Sequence, residues 1–160
     1  MKPGVETALS ALVDSRTREG GALADDLRRR INLLERFVGD VGDLTRDAPE
    51  VYRRRLRERL ERVLKPGEVD PARLAQEVAI LADKVDVAEE LTRIAAHVGE
   101  FRRLTAESTA TGRRLDFLTQ ELNREVNTIG SKSQSAQVAA RVVDCKAELE
   151  RLREQIQNVE

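Results

Sequence analysis

Tryptophan is absent, and aromatic residues make up only 2% of the 160 residues. β-Sandwiches and barrels draw on aromatic and β-branched side chains, so this scarcity disfavours them. A single cysteine, Cys145, excludes an internal disulfide framework. No apolar run approaches the roughly 20 residues that a transmembrane helix needs. No signal peptide opens the sequence, and a cytoplasmic protein with no membrane partner is expected. Nothing matches a P-loop, a GxGxxG turn, a nucleophile elbow or a run of zinc ligands. No segment repeats at a fixed period, which disfavours a solenoid. The net charge is −1, so no global basic field announces a nucleic-acid partner.

Charge itself is abundant, at 36% of the residues. Together with the richness in Ala, Leu, Glu and Arg, it fits long helices. The expected fold is all-α: long antiparallel helices and helical hairpins with coiled-coil-like heptad packing, and almost no strand. The 28 basic residues divide into five lysines and 23 arginines. Arginine suits planar, bidentate contacts to phosphate or carboxylate, although a GC-rich genome gives the same bias. Met1 is the sole methionine, and MKPG leads almost at once into helical pattern. So abrupt a start is expected of a piece of a longer protein.

Val5, Leu9 and Leu12, then Leu23, Leu27, Ile31, Leu34, Val38 and Val41, set a heptad rhythm. They predict one long helix, or two joined near Gly20-Gly21. Asp47-Ala48-Pro49 ends that element, and Pro49 suits the first turn of the next. The following helix, Tyr52 to Leu64, buries Leu56, Leu60, Val63 and Leu64. Its basic side could hold phosphates, or be a solvated charge face. Lys65-Pro66-Gly67 reads as a turn. Asp70 can cap a helix with Pro71 in its first position, and Leu74, Val78, Leu81 and Ala82 line its apolar face. Asp86 with Glu89 matches a capping box, opening a helix to Leu104 whose core side is Ala88, Leu91, Ile94, Ala95, Val98 and Phe101. Ala106 to Gly112 is a small-residue loop. The last helix has the cleanest heptad, Val138, Val142, Cys145, Leu149, Leu152, Ile156 and Val159. It should pack along another long helix, with Cys145 as a buried seam residue rather than a reactive thiol. Two units are expected, an arm over residues 1–65 and a domain over 66–160 carrying the site.

The stretch RRLDFLTQELNREVNTIGSK, Arg113 to Lys132, divides into two faces on a helix. Leu115, Leu118, Leu122, Val126 and Ile129 form an apolar stripe. Arg113, Asp116, Gln120, Asn123, Arg124 and Asn127 fall opposite. Amides and arginines hydrogen-bond in fixed geometries, and Asn gives an exposed helix little. Such a face suggests a surface that recognises something polar. Gly130-Ser131 is expected to break this helix. Lys132 and Arg124 could contact phosphates. Glu121 and Glu125, at i and i+4, could share a divalent cation, with Glu125 turned toward the apolar stripe. Upstream, Glu90, Arg93 and His97 share one face and could do acid–base work or help bind a metal. The plain alternative is a surface histidine with an ion pair above it, since one His and one Glu make no closed ligand set. The amides in REQIQNVE, Arg153 to Glu160, are recognition surface or merely solubilising.

Three runs then resemble a known family. LADKVDVAEELTRIAAHVGEF, GRRLDFLTQELNREVNTIGSKS and KAELERLREQIQNVE are similar to the C-terminal part of the YicC/YloC family of stress-associated bacterial proteins. The resemblance covers about Leu74 to Glu160, with weaker agreement over Arg18 to Ile31. It implies a chain that corresponds to the helical, C-terminal portion of proteins near twice this length, which begin with an N-terminal domain. It implies an endoribonuclease that cuts single-stranded RNA with a divalent cation, Mn²⁺ or Mg²⁺. It also implies a homo-oligomer, a hexamer in the full-length protein, working beside other RNA-decay factors. If the N-terminal domain carries part of the RNA channel, this portion alone is inactive. The motif residues map to Glu89, Glu90, Arg93, His97, Arg113, Arg114, Asp116, Gln120, Glu121, Asn123, Arg124, Glu125, Asn127, Ser131 and Lys132, and in the last helix to Lys146, Glu148, Gln155, Gln157 and Asn158. On this reading Glu90, Glu121 and Glu125 hold the metal, and His97, Glu90 and Glu121 are catalytic. Arg113, Arg114, Arg124 and Lys132 hold phosphates, Arg93 also binds RNA, and Gln120, Asn123 and Asn127 contact ribose or bases. A helical adaptor that binds RNA or recruits another ribonuclease, and a pure oligomerisation module, stand as alternatives.

Overall fold

The computed structural model describes residues 2–63, 70–107, 112–157 and 159. These residues form helices and short connections, with no strand among them: α1 (Lys2–Thr45), α2 (Ala48–Val63), α3 (Pro71–Val85), α4 (Ala88–Ala106), α5 (Gly112–Lys132) and α6 (Ala136–Ile156). The all-α fold is therefore as the sequence predicts. No helix is long and apolar enough to cross a membrane among the described residues.

The second half of α1 packs with α4, α5 and α6 in a closed ring, each helix touching the next. Cross-helix pairs fix the directions. Asp40 meets Arg141 and Arg30 meets Glu148, so α1 and α6 are antiparallel. Arg102 meets Glu35, and Leu91 lies against Gly42, so α1 and α4 are antiparallel as well. The result is an up-and-down bundle with its core running along the common axis. Leu27, Ile31, Leu34, Phe37 and Val41 of α1 share this core with Ile94, Val98, Phe101 and Leu104 of α4. Leu115, Leu118, Leu122, Val126 and Ile129 of α5 join them, as do Val138, Val142, Cys145, Leu149, Leu152 and Ile156 of α6. α2 and α3 pack chiefly on each other as a hairpin beside the bundle.

Local chemistry explains the boundaries. Asp70 caps α3 by accepting from the Ala72 N–H at 2.9 Å, with Pro71 in the first turn. Ser135 caps α6, accepting from the Val138 N–H. α4 departs from its expected capping box. It opens at Ala88 behind Val87, and Asp86 accepts from the Ala88 N–H at 2.9 Å, while Glu89 pairs with Arg93 instead of reaching back. Ala88 and Ala95, expected in the core, are exposed; Glu90 and Leu104 are buried in their place, because α4 is rotated to face α5 as well as α1. Gly20-Gly21 does not interrupt α1. Nor does Gly130-Ser131 break α5. Gly130 instead lets α6 come close: a Cβ there would lie 3.2 Å from Val142 Cγ1.

Cys145 is buried as expected, and burial pushes its thiol up to about 12, which leaves it an inert core residue. Val159, which continues the heptad, is partly buried against the core. The turn at Lys65-Pro66-Gly67, the boundary between residues 65 and 66, Leu64, the side chain of Val63, Asn158, and residues 108–111 of the small-residue loop lie outside the described residues.

The first half of α1 projects beyond the ring. Val5, Leu9 and Leu12 keep their heptad spacing but are 66%, 61% and 54% exposed. Burial, not pattern, therefore separates the halves of this helix. Leu122→Ala, at a site with no solvent exposure, should lower the unfolding free energy by about 2–5 kcal/mol. Leu9→Ala in the monomeric chain should change it by less than about 0.5 kcal/mol. Urea denaturation monitored by circular dichroism measures both, and equal losses would contradict the bundle boundary.

Candidate functional site

With 3.6 residues per turn, α5 sorts its side chains into separate strips. The apolar stripe faces inward. Arg113, Phe117, Gln120, Arg124, Asn127 and Ser131 form an outer crest, every one of them exposed. Between crest and core, on the side of α4, lie Arg114, Glu121, Glu125 and Lys132. On the side of α6, Asp116 accepts from Gln120 at 2.7 Å and meets Arg153 at 3.6 Å. The face opposite the apolar stripe is thus solvent-facing, as expected.

A line of opposed charges runs along the α4–α5 seam. Lys132 Nζ donates to Glu90 Oε1 at 2.7 Å and to the Asp86 carbonyl at 2.9 Å. Glu90 is 4% exposed, and its Oε2 is buried with no hydrogen-bond partner among the described residues. Arg93 Nη1 lies 3.5 Å from Glu125 Oε1, a carboxylate just as buried, and Arg93 also pairs with Glu89. At the far end Arg114 lies 3.6 Å from Glu100. Glu100 is held below the usual carboxylate range, first by its hydrogen bond from Arg103 and then by the charges of Arg103 and Arg114. These pairs run in opposite senses along the two helices and set an antiparallel register. That register puts His97 and Glu121 at the same level, midway along the seam. His97 is half-buried and makes no hydrogen bond or ion pair among the described residues. Glu121 lies 3.7 Å from Arg124, with its side chain 27% exposed.

The structure thus brings Glu90, Arg93, His97, Arg114, Glu121, Glu125 and Lys132 onto one seam. It puts Arg113, Gln120, Arg124 and Asn127 on the adjoining crest, and Asn123 on the flank toward α6, where its amide oxygen faces the Asn127 amide at 3.5 Å. Arg93 and Lys132 are committed to buried carboxylates rather than free for phosphate. Glu148, in the last helix, is committed to Arg30. Glu90, Glu121 and Glu125 do not converge: among the described residues no three His, Cys, Asp or Glu side chains form a set that could hold a metal. A closed protein cage therefore does not fit. Mg²⁺ and Mn²⁺ differ from zinc in this respect, since such ions can take one or two carboxylates and complete their shell with water and substrate phosphate. Glu121, at the rim of the seam, is the most exposed of the three carboxylates.

Two residues escaped the sequence reading. Glu100 closes the seam, and its signal was the helical spacing that continues Glu90, Arg93 and His97. Phe117 stands 59% exposed on the crest. Its signal was its spacing, i+4 from Arg113 and i−3 from Gln120, which sets an aromatic ring inside a polar face.

Residues 41–160 match the profile of the family described as "Endoribonuclease YicC-like, C-terminal". A protein named "Probable endoribonuclease YicC" from Clostridioides difficile (strain 630) is 42% identical over 161 residues, covering 100% of this chain and 55% of the relative. One of the same name from Haemophilus influenzae (strain ATCC 51907 / DSM 11121 / KW20 / Rd) is 40% identical over 152 residues, covering 95% of this chain and 52% of the relative. The chain thus spans about half the length of the curated relatives it matches.

The Glu90–Lys132 pair has a measurable consequence. Lys132→Ala strands a buried carboxylate and should cost about 3–5 kcal/mol of stability in urea denaturation. The double variant Glu90→Gln/Lys132→Met should recover most of it, because no charge is left unpaired. A single variant as stable as the wild type would show that the pair does not hold the seam.

Proposed function

Since the chain belongs to the YicC-like endoribonuclease family through its C-terminal region, we propose that it forms the helical part of an endoribonuclease that cuts single-stranded RNA with the support of a divalent cation. The observation that carries the reading is the midpoint of the α4–α5 seam. There, an uncommitted imidazole and a partly exposed carboxylate share one level, beside a crest of guanidinium and amide groups.

Each group has a task on this reading. Arg113, Arg114 and Arg124 hold phosphates, Arg124 beside Glu121 and Arg113 along the crest. Gln120, Asn123 and Asn127 supply donors and acceptors for ribose and for the edges of unpaired bases. His97 takes the proton from the attacking oxygen or returns one to the leaving oxygen. Glu121 holds a hydrated Mg²⁺ or Mn²⁺, which when bound would neutralise the phosphate charge. Glu90 and Glu125, buried and paired with Lys132 and Arg93, act as positioning residues that keep α4 and α5 in register. A homo-oligomer belongs to the same reading. Its surface is the uncovered apolar ridge of Val5, Leu9, Leu12 and Val13.

One observation favours a second reading. Most charges of the seam are satisfied within the chain, which suits a surface that binds RNA, or recruits another ribonuclease, without cutting. Labelled single-stranded RNA incubated with the full-length protein and Mn²⁺ or Mg²⁺ separates the two. If the seam is catalytic, His97→Ala lowers kcat by about 10²–10⁴-fold with KM nearly unchanged. Arg124→Ala instead weakens binding and flattens the dependence of log affinity on log salt by about 0.7. Wild-type cleavage that neither substitution alters would overturn these roles. A purified wild type that cuts nothing yet retains a second ribonuclease would establish the adaptor.

A further inference from the structure

The four aromatic side chains of this protein are placed unequally. Phe37 and Phe101 are 5% and 0% exposed, and Tyr52 is half-buried. Phe117 alone stands in solvent, 59% exposed, in the second turn of a helix that buries five aliphatic side chains together with Thr119 and Glu125. A lone exposed apolar residue is ordinary on a protein surface. What sets this one apart is its company. Arg113 and Arg114 precede it by four and three residues, and Gln120 and Glu121 follow at three and four. Each such neighbour stands within about 5–6 Å on a helix surface. The crest therefore presents a hydrophobic ring framed by planar hydrogen-bonding groups, with no second large apolar side chain among them.

We propose that Phe117 is a stacking platform for one unpaired nucleobase of single-stranded RNA. The inference rests on the RNA reading above and adds to it a binding residue and the state of the nucleic acid. A base offers a flat π-face to the ring, an edge to the Gln120 amide, and a phosphate within reach of Arg113 or Arg124. These are the contacts by which unpaired bases are held, whereas a duplex keeps its bases stacked on one another and out of reach. A protein partner docking here would need a contiguous apolar surface, and the crest supplies one ring. The platform also sets register. Glu121 lies one turn beyond Phe117, on the side of α4 where His97 sits, so a base stacked on Phe117 delivers the neighbouring phosphate to the middle of the seam.

The chain contains no tryptophan, so Phe117→Trp creates a single reporter at the platform. The probe is a 12-nucleotide oligoadenylate, titrated at fixed salt. Stacking predicts that the Phe117→Trp fluorescence is quenched on binding and that this variant keeps wild-type affinity. It predicts a Kd raised about 5- to 100-fold in Phe117→Ala. Phe117→Leu should follow Phe117→Ala. An abasic oligomer of equal length should bind the wild type and Phe117→Ala alike. If wild type binds the oligomer and Phe117→Ala or Phe117→Leu binds it equally well, the platform is overturned while the RNA reading stands. If Phe117→Ala instead changes the sedimenting mass and leaves RNA affinity untouched, the ring is a protein contact and the platform is overturned. A wild type with no affinity for the oligomer removes both.

Discussion

Two carboxylates buried between α4 and α5 organise this molecule. Glu90 is held by Lys132 from the opposite helix, and Glu125 lies beside Arg93 from the opposite helix. A charge taken out of water is tolerated only with a partner. The arrangement is reciprocal, one acid and one cation from each helix. Sliding α5 by a turn would strand both acids at once. Apolar contacts alone would not discriminate so sharply, because Leu, Ile and Val fill similar holes one turn apart. The ion pairs therefore act on register more than on net stability, which buried pairs supply poorly.

Register is what function would depend on here. Once Glu90 and Lys132 are opposed, His97 and Glu121 fall at the same level at mid-seam, and Arg114 reaches Glu100. The crest of α5 is then fixed by the same rotation that buries Leu122 and Ile129. A polar face rich in arginine and amides thus becomes a continuous strip alongside a seam with one uncommitted imidazole. The rest of the chain supports this. α6 closes the ring through its heptad and approaches α5 at Gly130. The second half of α1 supplies the remaining wall, and α2 and α3 stand aside.

Much of this was legible in the sequence. The stripe of Leu115 to Ile129, the heptad of α6, the Asp70–Pro71 start of α3 and the inward turn of Glu125 all follow from local periodicity and capping chemistry, and the structure reproduces them. The family resemblance, too, was carried by residues already in view. What periodicity could not give was partnership. Val5, Leu9 and Leu12 repeat as regularly as Leu27, Ile31 and Leu34, yet only the second set meets other helices. Gly130 reads as a breaker, because a glycine chosen for a close helix approach looks like one chosen for a turn. Lys132 reads as a phosphate ligand and Arg93 as an RNA contact, because the sequence does not show that each has a buried acid across the seam. Phe117 was passed over since a single aromatic carries no period at all.

The claim that the α4–α5 seam and its crest face the nucleic acid can be tested without assuming cleavage. Single-stranded RNA carrying 4-thiouridine is photo-crosslinked to the protein, and the adducts are mapped by peptide mass spectrometry. If the claim holds, adducts fall within Gly112–Lys132, centred on the crest near Phe117 and Arg124, with a minor set in Ala88–Ala106. Adducts confined to the arginines of α2, or to α1 and α6, would contradict it.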